Sequence, residues 1–108
     1  MSLTHRGSLL SLLVAILLGY STATAAIQYS SNDGTSFEKA IVIIGALNDT
    51  AGVQAEYQYV RNHFPGAKVD NQRLVSQGNR VFDLLELTMA DHQKRMIFFD
   101  ITDFFGKY

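Results

Sequence analysis

The sequence predicts an α+β domain of two layers, β-α-β-β-β, with one helix packed on a mainly antiparallel four-stranded sheet. Three observations predict it. The run Ala40-Ile41-Val42-Ile43-Ile44 is β-branched and apolar on both faces, which suits a doubly covered strand. An amphipathic stretch follows between Gly45 and Pro65-Gly66. Three further strand-like runs then close the chain, separated by turn signals at Gly78-Asn79 and Ala90-Asp91-His92-Gln93.

The helix is expected over 50–63. Asp49 or Thr50 offers a side-chain oxygen to the free amides of its first turn. Val53, Tyr57, Val60 and Phe64 fall at i, i+4, i+7 and i+11, a single stripe that should face the sheet. Gln54, Glu56, Gln58, Arg61 and Asn62 are left for water. Proline at 65 disfavours helical geometry in the residue before it and has no amide proton, so the helix stops there.

In the run 68–77, Val69, Leu74 and Val75 change phase midway, which predicts a β-bulge. Gly78-Asn79 predicts a two-residue type II′ hairpin, since the first turn position demands positive φ. In the run 80–89, Val81, Asp83, Leu85, Leu87 and Met89 share one face, and Phe82, Leu84, Glu86 and Thr88 the other. The first row should meet the helix. In the run 94–101, Ile97, Phe99 and Ile101 oppose Met96, Phe98 and Asp100. The stretch 102–106 reads as one turn holding Phe104 and Phe105 against the body.

The organisation expected is a signal peptide over 1–25, a flexible polar leader over 26–36 and a single domain over 37–108. Arg6 precedes an uncharged, largely apolar run, 9–18, which Gly19 ends before the small residues Ser21-Thr22-Ala23-Thr24-Ala25-Ala26. Ala23 and Ala25 suit the two small-residue positions that signal peptidase reads. The cut is placed after Ala25, with Ala23 and Ala26 as alternatives. The core of 10 residues, all apolar but Ser11, is half the roughly 20 needed by a spanning helix, so no stable membrane insertion is expected after cleavage. With no Cys in the chain, lipid anchoring through a thioether is excluded. Exported domains of this size without disulfides suggest a bacterial periplasm or exterior.

Removing residues 1–25 leaves 83 of 108, with Lys+Arg falling from 9 to 8 against 10 Asp+Glu. That net charge of about −2, with no basic run, argues against nucleic acid as a partner. The residues Phe37-Glu38-Lys39-Ala40, Gly78-Asn79-Arg80, Phe98-Phe99-Asp100-Ile101 and Phe104-Phe105-Gly106, with the Gly-to-Asn48-Asp49-Thr50 helix start, together resemble small exported bacterial proteins of unknown function. The resemblance covers most of residues 37–108 and implies no activity. It implies a glycine in the last hairpin, where this chain has Asp91-His92.

No catalytic motif emerges. There is no Cys nucleophile and no Gly-x-Ser-x-Gly elbow. His63 and His92 show no helical or strand spacing for a shared metal, so neither cofactor nor metal is expected. The sequence Gly45-Ala46-Leu47-Asn48-Asp49-Thr50 runs from strand to helix but has one glycine, and Asp49 would repel phosphate. Asp83 is the odd residue, a charge in an apolar row, and is expected to pair across the sheet with a basic group such as Arg73 or Lys94.

One anomaly remains. A single helix covers one sheet face, yet Phe82, Leu84, Met96 and Phe98 make the second face apolar too. Either the chain ends cover it or a partner does. The expected product is therefore a non-enzymatic protein–protein interaction module using that face, with self-association included. The alternative is a small-ligand-binding or envelope accessory domain with a pocket between helix and sheet.

Overall fold

The computed structural model describes residues 26–108; the signal assigned to 1–25 lies outside the described residues. Strands β1 (Gln28–Tyr29), β2 (Ile41–Ile44), β3 (Lys68–Gln77), β4 (Arg80–Thr88) and β5 (Lys94–Asp100) form one sheet, and helix α1 (Asp49–His63) links β2 to β3. The strand order is β1-β2-β5-β4-β3. Every neighbouring pair is antiparallel except β2 and β5. The α+β class is the one predicted, with five strands where four were expected.

The added strand comes from the segment read as a flexible leader. Gln28 and Tyr29 pair with Ile44 and Ile43, and the Tyr29 hydroxyl donates to the Ala55 carbonyl of α1 at 2.8 Å. A two-residue strand is too short to show alternation, so the sequence gives no periodic sign of it.

The helix starts one residue earlier than predicted, capped by Asn48, whose Oδ1 accepts from the Ala51 amide at 2.9 Å. Its buried residues are Gly52, Ala55, Glu56 and Val60. Of the predicted stripe, Val60 is buried, whereas Val53, Tyr57 and Phe64 are half-buried. The helix is therefore turned by about a quarter of a revolution from the expected phase. Small residues explain the turn. A Cβ on Gly52 would stand 2.1 Å from the Phe104 ring, so that face approaches its neighbours more closely than a Val or Tyr face can.

The register settles the strand faces. The Val69/Asn71 irregularity in β3 is the expected bulge. Gln77 pairs with Arg80 around Gly78, which takes φ +63° as a type II′ turn requires. At the last hairpin His92 adopts φ +70°, a left-handed position where the resemblance implied glycine.

Leu85, Leu87, Ile97, Phe99 and Ile101 meet the helix in the main core, with Ile41, Ile43 and Phe104. Phe105 is 46% exposed, so the C-terminal turn holds one aromatic inward rather than two. On the opposite face Ala40, Phe82 and Leu84 form a second, smaller core. Phe37 covers it, edge-on to Phe82 at 5.0 Å and to Phe98 at 4.9 Å. The Phe98 amide also donates to the Gly34 carbonyl at 2.8 Å, which fixes the covering segment to β5.

Candidate functional site

The four residues first assigned to a binding face do not form an open one. Phe82 and Leu84 are buried, and Met96 and Phe98 are half-buried beside them. The structure brings the four together beneath Phe37, as a core of the chain itself. Segment 34–40, which begins inside the supposed leader, supplies the cover, the first of the two alternatives the sequence left open.

Charge inside the fold points elsewhere. Asp83 is buried, but neither basic group expected beside it is its partner. Arg73 pairs in register with Leu84, which sends its side chain to the other sheet face. The Lys94 ammonium sits 3.2 Å from Asp70. Asp83 instead accepts a hydrogen bond from the Gln72 side-chain amide, and the Tyr57 hydroxyl donates to the Gln72 oxygen at 3.3 Å.

Behind Asp83 stands Glu56, read from the sequence as a wet-face residue and in fact 0% exposed. No donor reaches either of its carboxyl oxygens, and the group it faces is the Asp83 carboxylate. Burial first, then the Asp83 carboxylate, push the Glu56 carboxyl up to about 10. At neutral pH Glu56 therefore holds its proton. The two carboxyl groups are apposed, and the proton that Glu56 retains is shared with the Asp83 carboxylate.

A signal for Glu56 did exist. Gly52, Ala55 and Glu56 sit at i, i+3 and i+4, and the two small residues mark the close-packed face that carries the third.

Asp83 forms part of the wall of an open cleft of about 430 Å3 between helix, sheet and C-terminal turn. Gln72, Val53 and Asp49 also line it, with Leu74 and Phe105 at its apolar edge. Leu74 is 55% exposed. A cleft of about 450 Å3 lies between His63, Pro65 and the last hairpin. Only the former has a buried ionisable pair in or behind its wall.

The histidines do not compose a site. His63 stacks on Tyr59 at 3.8 Å between ring centroids, and its Nδ1 lies 3.1 Å from the Tyr59 carbonyl oxygen. His92 sits in the last hairpin turn. Among the described residues, no three His, Cys, Asp or Glu side chains are grouped to hold a metal ion. No helix among the described residues is long and apolar enough to cross a membrane. Comparison of the chain with known protein families, with curated proteins and with solved structures finds no match.

Proposed function

We propose that the chain is an exported, non-enzymatic binding domain that docks another protein at the N-terminal end of its helix. One observation carries the reading. Leu47, Leu74, Phe105 and Tyr108 are four of the five most exposed large apolar residues among those described, with Ile44 the fifth. All four gather around the start of α1. Leu47 precedes the Asn48 cap. Asp49 ties the C-terminal turn there, donating its amide to the Lys107 carbonyl at 3.0 Å and accepting the Gly106 amide at 3.0 Å. Leu74 and Phe105 share the cleft with Asp49. Apolar side chains concentrated at one pole, with a polar remainder, are the pattern of an interaction surface.

Export is supported by the residue pattern of 1–25 and by the lack of Cys. The non-enzymatic reading rests on the sequence, which has neither a Cys nucleophile nor a Gly-x-Ser-x-Gly elbow.

A photo-crosslinking amino acid placed at position 105, in the native host, should trap one defined protein. Leu74→Ser should abolish the adduct, and the same crosslinker at position 82 should trap nothing. Mass spectrometry of the adduct separates a second copy of this chain from a different protein. Equal trapping at 82 and 105, or none at 105, overturns the proposal.

A further inference from the structure

We propose that the cleft at Asp83 receives a lysine or arginine side chain of the docked protein, with Asp83 as counter-ion and Gln72 as a displaceable stand-in. The inference rests on the docking reading and adds the chemistry of the partner.

The charge around the cleft has one sign. Asp49 and Asp83 are its only charged lining residues, so an anionic guest meets two carboxylates and no cation. Asp83 is nearly buried, yet its partners are neutral donors, the Gln72 amide and the Glu56 carboxyl, rather than a base. A buried carboxylate without a cation is costly, and pairing offsets that cost. Gln72 lies on β3, an edge strand, and is itself exposed. Its oxygen is held by one long bond from Tyr57. The Gln72 amide can therefore swing out and leave its position on Asp83 to a charged donor, which makes the stronger bond.

Glu56 shows how the Asp83 charge is met without a cation. It is wholly buried against Asp83 and receives no other donor, so a retained proton stands where a basic group would otherwise pair. A metal ion does not fit, because two carboxylates and one amide fall short of the six to eight oxygens of Ca2+. Leu74 and Phe105 flank the opening, and the methylene stem of a basic side chain lies well on such apolar edges.

The site has a proton signature. A cation beside Asp83 favours the ionised form of Glu56, so guest binding should tighten as pH rises toward the value at which Glu56 ionises. The other groups facing the pair are Gln72 and Tyr57 and, from the same helix, Asp49; no charged residue of β5 or of the C-terminal turn lines the cleft.

The probes are the blocked tripeptide acetyl-Leu-Arg-Leu-amide and its counterpart with neutral citrulline in place of arginine. Each is titrated by NMR into the protein in the form its host produces. The arginine peptide should shift the amides of Leu74, Asp83 and Phe105 and bind about tenfold more tightly than the citrulline peptide, the ratio expected of one charge-assisted contact. Asp83→Asn should erase that preference. Binding of the arginine peptide should be severalfold tighter at pH 9 than at pH 7 in the wild type and flat in Glu56→Gln, which decides the matter if Asp83→Asn does not fold. Equal binding of both peptides, no binding of either, or a pH response that survives Glu56→Gln overturns the inference. Failure here alongside a defined adduct at position 105 leaves the docking surface standing without its basic anchor. Success here without any adduct removes the protein partner and leaves a site for small cations.

Discussion

The two sides of the sheet each bury an aspartate, and they treat it in opposite ways. On the side away from the helix, Asp100 is fully employed. Arg80 Nε donates to it at 2.7 Å, the Thr102 amide at 3.0 Å and the Thr102 hydroxyl at 2.6 Å. Burial alone would raise its carboxyl, but Thr102 and Arg80 outweigh that and hold it below the ordinary carboxylate range. On the helix side, Asp83 has one neutral amide donor and a protonated glutamic acid behind it. The difference separates an acid whose bonds close a loop from one whose surroundings are incomplete. The first is structural, and the second marks where a binding partner is to be sought.

The apolar lining divides in the same way. Phe82 beside Asp100 is sealed by Phe37, so Phe82→Ser should lower stability by about 3–5 kcal/mol, as for loss of a buried aromatic, while leaving the mass in light scattering unchanged. A folded variant with altered mass would return that face to the surface of the protein.

Asp100→Ala should be the next largest effect, about 2 kcal/mol for the lost charge-assisted bonds. Asp100 is depressed in the folded state, so its contribution is present above its unfolded value and lost as pH falls through the folded one. Thermal melts from pH 6 down to pH 2 should show a shallower acid loss in the variant than in the wild type. Parallel curves would remove Asp100 from the account.

Glu56→Gln should have the smallest effect at neutral pH and the opposite sign, stabilising by about 1 kcal/mol. The sign follows from linkage. Glu56 is raised in the folded state, so the native protein holds a proton that the unfolded chain releases above about 4.5. Stability therefore falls as pH rises from there toward about 10. Urea melts at pH 6 and pH 9 should give a gain for Glu56→Gln that grows with pH. A loss at both values would mean that the protonated Glu56 donates a bond that the amide cannot replace.

The two sides also differed in how legible they were. Alternation along β4 and β5 placed Val81, Leu85 and Leu87 against the helix correctly, because strand period admits only two phases. It singled out Asp83 for the same reason. The helix phase was harder. Val53, Tyr57 and Val60 make a plausible stripe, but the chain packs its smaller side chains inward, and Gly52 and Ala55 scarcely register as apolar in a pattern of large residues. That error put Glu56 in water. Phe37 counted among the chain-end residues that could cover the second face, but one aromatic after a run of Ser, Asn and Gly has no period to declare which surface it will cover.

The clamping of the helix has a kinetic consequence. Tyr29 reaches Ala55 across 26 residues, and the Phe104 ring fills the space over Gly52 from the far end of the chain. Between those anchors, β3, β4 and β5 join through short hairpins whose contacts are local. Local pairings close first, and contacts that bridge distant segments wait for loop closure. The meander should therefore assemble early and the helix dock last, once the segments that carry Tyr29 and Phe104 have returned to it. Pulse-labelled hydrogen exchange should find amides of β4 protected before those of the helix, and simultaneous protection would refute this order. Deleting residues 26–30 or 104–108 should then loosen the helix before the meander.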